Sequence, residues 1–160
     1  MPLLNPGDRF PSITINQVGD RAVEITDALA GHYGVVLFYR GSWCPYCNAQ
    51  LGRFQRAAGK LGALDVKVLA LSVDDEPTAR DLIAEHGLTF TVGHSADAAA
   101  IRRATGAFLN DDPVYLQSTG FVLDRDGDVI VSVYSSGAIG RLVPEDVAGL
   151  VNYVTSKRAA

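Results

Sequence analysis

Val35-Val36-Leu37-Phe38-Tyr39-Arg40-Gly41-Ser42-Trp43-Cys44-Pro45-Tyr46-Cys47 is the stretch that decides how this 160-residue chain folds. Its first five residues form a continuous apolar, β-branched and aromatic run. Gly34 precedes the run and Arg40-Gly41-Ser42 follows it, the pattern of a buried central strand. Beyond Cys47, Leu51, Phe54, Ala58 and Leu61 recur at helical spacing as far as Gly62, which predicts one helix starting close to the cysteines. Strand, short loop and helix together set two thiols at a helix N-terminus. Unpaired N–H groups and the macrodipole favour negative charge there, so a thiol ionises below its free value of about 8.5. A second thiol within one turn can attack a disulfide or a sulfenic acid on the first.

Toward the N-terminus, Pro6-Gly7-Asp8 and Phe10-Pro11 are turn-rich, and Ile13 and Ile15 alternate with polar residues as a short edge strand does. Val23 and Ile25 suggest a second short strand, followed by a helix from Thr26-Asp27 to Gly31. Toward the C-terminus, Val66, Val68, Ala70, Leu71 and Val73 read as the next buried strand. Asp74-Asp75-Glu76-Pro77 then opens a helix through Ile83 to Gly87. Phe90 to Val92 reads as a short strand and Asp97 to Thr105 as a helix. Phe121-Val122-Leu123 and Val129-Ile130-Val131 flank an Asp-Gly hairpin turn, and a last helix runs from about Pro144 through Val154. Strands alternating with helices imply an α/β fold, with a central mixed β-sheet flanked by helices on both faces. No repeat, low-complexity segment or linker interrupts the chain, so residues 1–160 read as a single domain.

Composition narrows the function. Fourteen Lys and Arg against eighteen Asp and Glu give a net charge of −4, and no basic run is present, which argues against nucleic acid as a partner. No stretch approaches the roughly 18 apolar residues of a membrane span, and the opening residues form no apolar targeting segment, so a cytosolic location is expected. Two cysteines do not make a disulfide framework. Nor do they make a zinc site, which needs four ligands, and neither a metal nor a cofactor is expected. His32, His86 and His94 are scattered and read as surface or loop-end residues. Asp74-Asp75-Glu76 reads as an acidic helix start, and Arg102 and Arg103 as a solvated helix face.

The chain resembles the thioredoxin superfamily, and within it the peroxiredoxin-like alkyl hydroperoxide reductase and thiol-specific antioxidant family. Pro6 to Pro11, Val35 to Tyr39, Cys44-Pro45-Tyr46-Cys47, Ala70-Leu71-Ser72-Val73-Asp74 and Gly120 to Gly127 carry the likeness, which spans almost the whole sequence. It implies a thioredoxin-like fold. Two templates within the superfamily assign the cysteines differently. Laying Phe38-Tyr39 on the Phe-Tyr-Pro segment of peroxiredoxins puts Arg40 at the proline, Cys44 at the following threonine and Cys47 at the peroxidatic cysteine. The thioredoxin template makes Cys44 the attacking thiol and Cys47 the resolving one. Ser118 falls both where peroxiredoxins carry a late arginine and where thioredoxins carry a cis-proline.

The resemblance implies a thiol peroxidase that reduces hydrogen peroxide or organic hydroperoxides through a dithiol–disulfide cycle of Cys44 and Cys47. A thioredoxin-type protein or a low-molecular-weight thiol would reset it, and a homodimer is in keeping with the family. The alternative is a thioredoxin-type oxidoreductase acting on protein disulfides, and a third is a redox-sensing module without turnover. Three neighbours are candidate supporting residues. Arg40 follows the buried strand and is placed by spacing beside the thiols. Trp43 reads as a packing residue flanking the loop that can wall the site, and Gln50, one turn after Cys47, as a hydrogen-bonding group near the sulfur.

Overall fold

The computed structural model describes residues 3–159. Its centre is β3 (Tyr33–Phe38), buried along its whole length. It pairs in parallel with β4 (Val66–Leu71) and antiparallel with β8 (Thr119–Leu123). The sheet is completed by β1 (Thr14–Gln17), β2 (Val23–Glu24), β5 (Thr91–His94) and β9 (Val129–Tyr134), in the order β2-β1-β5-β4-β3-β8-β9. β3, β4 and β5 are parallel and the remaining pairings antiparallel, so the sheet is mixed.

Because successive side chains of a strand point to opposite faces, the run Val35 to Tyr39 feeds two cores. Val35, Leu37 and Tyr39 join Leu51 and Phe54 of α2 (Pro45–Arg56), Leu61 of α3 (Ala58–Ala63), Ala79 and Leu82 of α4 (Glu76–His86), and Val147 and Val151 of α6 (Pro144–Ala159). Val36 and Phe38 join Ile25 of α1 (Ile25–Ala28), Ala98 and Ile101 of α5 (Ala98–Thr105), Phe10 and Phe121. Helices therefore cover both faces, as the alternation of strands and helices implies.

Four local expectations need correction. The single helix expected as far as Gly62 is two, broken at Ala57, which caps α2 and precedes α3. Ile25 begins α1 instead of ending a strand. Phe90 stands before β5, which begins at Thr91. In the acidic run, Asp75 is the true N-cap, its carboxylate accepting the Thr78 N–H at 2.9 Å, and Glu76 and Pro77 occupy the first turn. Asp74 lies outside that helix and turns toward the cysteine loop. A short hairpin, β6 (Leu109–Asp111) with β7 (Val114–Leu116), had no periodic signal in the sequence.

Candidate active site

The two cysteines occupy a loop fastened at both ends. Tyr39 continues the ladder beyond β3 by donating its N–H to the Leu71 carbonyl at 3.1 Å, and the chain then turns so that the Cys44 N–H reaches the Gly41 carbonyl at 3.1 Å. The Ser42 N–H donates to Asp74 Oδ2 at 2.8 Å, and the Asn48 amide to the Ser42 carbonyl at 3.0 Å. A Cβ on Gly41 would lie 2.2 Å from Trp43 Nε1, so a side chain there would displace the indole from its place against Arg40. Pro45 then starts α2 with a preset φ and no N–H to satisfy, which leaves Cys44 at the N-cap.

That position decides the sulfur chemistry. Cys44 Sγ accepts the Cys47 N–H at 3.3 Å, as a capping oxygen would. Arg40 Nη1 lies 3.9 Å from the same sulfur and Arg141 Nη2 3.6 Å from it. Burial by itself would raise the Cys44 pKa. The Cys47 thiol and N–H, the Arg40 hydrogen bond and the Arg141 charge outweigh it and hold Cys44 below the ordinary thiol value. Cys47, about 2.7 Å from Cys44, moves the other way. Burial and its role as donor to Cys44 push it up to about 11, although the Arg40 N–H reaches its sulfur at 3.3 Å. Both cysteines are free and neither has accessible surface. The pair is thus asymmetric: Cys44 is the thiol that ionises first, and Cys47 the one that holds its proton.

Arg40 stands beside the thiols as its spacing suggested. Its Nε donates to Gln117 Oε1 at 3.0 Å and its Nη2 to the Tyr115 hydroxyl at 2.9 Å. The guanidinium carbon sits 5.0 Å from the Trp43 ring centroid and 5.1 Å from that of Tyr115. Trp43 itself meets Tyr115 edge-on and is 54% exposed, so it roofs Arg40 while its outer face stays in solvent. Gln50 makes no bond to sulfur itself, and its hydrogen bonds lie one step away. It is buried, donating through Nε2 to the Leu142 carbonyl at 2.9 Å and accepting from Arg141 Nη1 at 3.2 Å. Its link to Cys44 runs through that arginine.

Arg141, Tyr115 and Gln117 were missed from the sequence, because they lie 97, 71 and 73 positions beyond Cys44 in segments with no periodic pattern. Ser118 was singled out as the position where a peroxiredoxin arginine and a thioredoxin cis-proline are both lacking. Its Oγ accepts from Arg141 Nη1 at 3.0 Å, so a guanidinium reaches this place from another part of the chain. The histidines are engaged elsewhere: His32 with Asp65 at 2.6 Å, and His94 with Ser95 and Glu76. His86 Nε2 is buried without a hydrogen-bond partner among the described residues. Among those residues no group of three or more His, Cys, Asp or Glu could hold a metal ion, and no helix is long and apolar enough to cross a membrane. Two cavities, of about 270 and 260 Å³, include neither cysteine in their linings. A smaller apolar groove of about 160 Å³ runs beside Tyr46, Gln50, Arg141 and Leu142.

A mixed sheet covered on both faces, with a dithiol capping the helix that follows its central strand, defines a thioredoxin-fold thiol oxidoreductase. Residues 6–132 match the sequence pattern of the AhpC/TSA family, and the chain belongs to that family. It is 27% identical over 155 residues to a peroxiredoxin of Methanothermobacter thermautotrophicus, covering 92% of this chain and 71% of the relative. It is 25% identical over 150 residues to the thiol-disulfide oxidoreductase ResA of Bacillus cereus, covering 93% and 78% respectively. The solved structure of Mycobacterium tuberculosis AhpC superposes with a TM-score of 0.80 at 21% identity, over 99% of this chain and 97% of that one, which confirms the fold.

Proposed function

We propose that the protein is a thiol peroxidase in which Cys44 attacks the peroxide and Cys47 resolves the product. The observation that carries this reading is the Cys44 sulfur itself: at a helix N-cap, between two guanidinium groups, held below the ordinary thiol pKa, and without accessible surface. A two-oxygen substrate needs only a small opening to reach such a sulfur. A protein disulfide needs a whole exposed sulfur face.

In the first step the Cys44 thiolate attacks the terminal oxygen of a hydroperoxide. The S–O bond forms as the O–O bond breaks, and the departing hydroxide or alkoxide takes up a proton to leave as water or alcohol. Cys44 is now a sulfenic acid, oxidised by two electrons. In the second step the Cys47 sulfur attacks Cys44 Sγ, the S–S bond forms, and the sulfenic hydroxyl leaves as water with the Cys47 proton. A thioredoxin-type dithiol, itself oxidised to a disulfide, or two molecules of a small thiol that leave as their disulfide, return two electrons and two protons. Arg40 supplies charge-assisted donors where the leaving oxygen gains its charge. The exposed rings of Trp43 and Tyr46 flank the disulfide and give a protein reductant an apolar surface. The chain acts as one domain over residues 1–160, in a cytosolic compartment whose reducing poise returns the pair to the dithiol.

A second reading, a disulfide reductase, is favoured by the order of the two thiols and by the likeness to ResA. Stopped-flow measurement of the reduced protein, followed through Trp43, decides between them. The peroxidase reading expects a rate with hydrogen peroxide orders of magnitude above that of a free thiolate and slow exchange with a disulfide-bonded protein. The opposite ranking would establish the reductase. Arg40→Met is expected to lower the peroxide rate by roughly 10²–10³, the usual cost of losing an oxyanion donor. An unchanged rate would remove Arg40 from the mechanism.

A further inference from the structure

Two guanidinium groups reach one sulfur, and their donors are spent differently. A guanidinium carries five N–H donors. In Arg141 all five are committed. Nε donates to the Ala138 carbonyl at 3.1 Å. Nη2 donates to the same carbonyl at 2.9 Å and to Cys44 Sγ at 3.6 Å. Nη1 donates to Gln50 Oε1 at 3.2 Å and Ser118 Oγ at 3.0 Å. In Arg40 three donors are used: Nε on Gln117, one Nη2 hydrogen on Tyr115 and one Nη1 hydrogen directed at Cys44. One hydrogen on each of its terminal nitrogens has no partner among the described residues. The guanidinium carbon lies 5.0 Å from the Trp43 ring centroid and 5.1 Å from that of Tyr115, and the one polar atom Tyr115 offers is already taken by the Nη2 bond.

We propose that the two arginines divide the reaction: Arg141 is a fixed donor to the Cys44 sulfur that never touches the peroxide, whereas Arg40 uses its two unspent N–H groups to hold the peroxide oxygens. This rests on the peroxidase reading and adds to it the assignment of each cation. For Arg141 to bind a substrate oxygen it would have to release Gln50, Ser118 or the Ala138 carbonyl. Two of those partners are themselves buried, Gln50 being tied to Leu142 as well. Arg40 gives up nothing on binding substrate. Both cations favour the thiolate, together with the Cys47 thiol and N–H; of the other ionisable groups nearby, Tyr39 faces Cys47, Asp74 accepts from the Ser42 N–H, and the Tyr115 hydroxyl accepts from Arg40. The donor count separates what each arginine does after the thiolate has formed.

Two electrophiles test this. Iodoacetamide alkylates the same sulfur but its leaving group is iodide, which needs no hydrogen-bonded oxyanion pocket, so its rate, taken relative to the Cys47→Ser parent, reports the thiolate and the access to it without the oxygen-binding donors. Hydrogen peroxide reports the thiolate and the oxygen-binding donors together. Rates with both are measured at pH 7 in Cys47→Ser protein carrying either Arg141→Met or Arg40→Met. For Arg141→Met the two rates are expected to fall by the same factor, on the order of tenfold for a lost neighbouring charge, and both to recover as pH rises. For Arg40→Met the peroxide rate is expected to fall roughly 10²-fold further than the alkylation rate. Arg141→Lys, which keeps the charge but not the five-donor fork, is expected to regain part of the alkylation rate and guards against a folding artefact.

A peroxide-specific loss in Arg141→Met, or equal losses in Arg40→Met, overturns the division. Failure of the peroxidase reading has a different signature, since the Arg40-bearing parent would then show no acceleration with peroxide over a free thiolate while its alkylation remained fast.

Discussion

Cys44→Ser protein is expected to lose peroxide reduction by several orders of magnitude, while Cys47→Ser protein keeps the first attack and loses turnover. With Cys44 gone, the remaining thiol is Cys47, buried beneath the loop with its pKa pushed up to about 11 by burial and by donation to Cys44. Such a group is only about 10⁻⁴ thiolate at pH 7, and the thiolate is the nucleophile. Losing Cys44 relieves the second cause but not burial. In Cys47→Ser, Arg40 and Arg141 still surround Cys44, so its first reaction with peroxide proceeds and stalls at the sulfenic acid. Mass spectrometry of that variant after one equivalent of peroxide should show a single added oxygen, and the wild type should show the loss of two hydrogens. The reverse pattern, rapid oxidation of Cys44→Ser and inertness of Cys47→Ser, would assign the attack to Cys47 as the peroxiredoxin template has it.

Phe121→Ala is expected to be the most damaging single change to stability, costing about 3–5 kcal/mol for a large buried aromatic truncated to alanine. Phe121 is fully buried in β8 and meets three aromatic rings edge-on: Phe10 at 5.2 Å, Phe38 at 5.6 Å and Tyr134 at 5.6 Å. It thereby ties the N-terminal segment, the central strand and β9 into one cluster on the face opposite α2. Its loss leaves a cavity that four elements cannot close together. For a chain of this length such a loss lowers Tm by on the order of 10 °C, read by calorimetry or thermal circular dichroism. A change of less than about 1 kcal/mol would mean that the cluster collapses into the void. Because Cys44 and Cys47 belong to the other core, the peroxide rate of the folded variant tests whether the two faces are independent.

The strand-loop-helix stretch around the cysteines was legible because local physics fixes it. Val35 to Tyr39 has one way to be buried, on both faces of a sheet, and Pro45 forces a helix start directly after Cys44. Asp75, Asp97 and Gly87 mark helix ends by backbone bonding that needs only neighbours in sequence. The break at Ala57 was not legible, since Ala58 and Leu61 preserve the apolar spacing across it. The β6–β7 hairpin was missed for a different reason: its strands are three residues long, too short for alternation to be read.

The same boundary runs through the site. By itself the sequence determined that two thiols sit at a helix N-terminus after a buried strand, with Arg40 close by, because all of these lie within the thirteen residues Val35 to Cys47. It left the attacking thiol open between two templates. Only the tertiary structure decided the asymmetry: the Cys47 N–H and the guanidinium groups of Arg40 and Arg141 converge on Cys44, leaving Cys47 the protonated donor. The physical reason is that a thiol pKa is set by the charges and donors within a few ångströms of the sulfur. One of those, Arg141, arrives from 97 residues away, held by Ser118 and Gln50, whose contacts exist only once the sheet and α6 have packed.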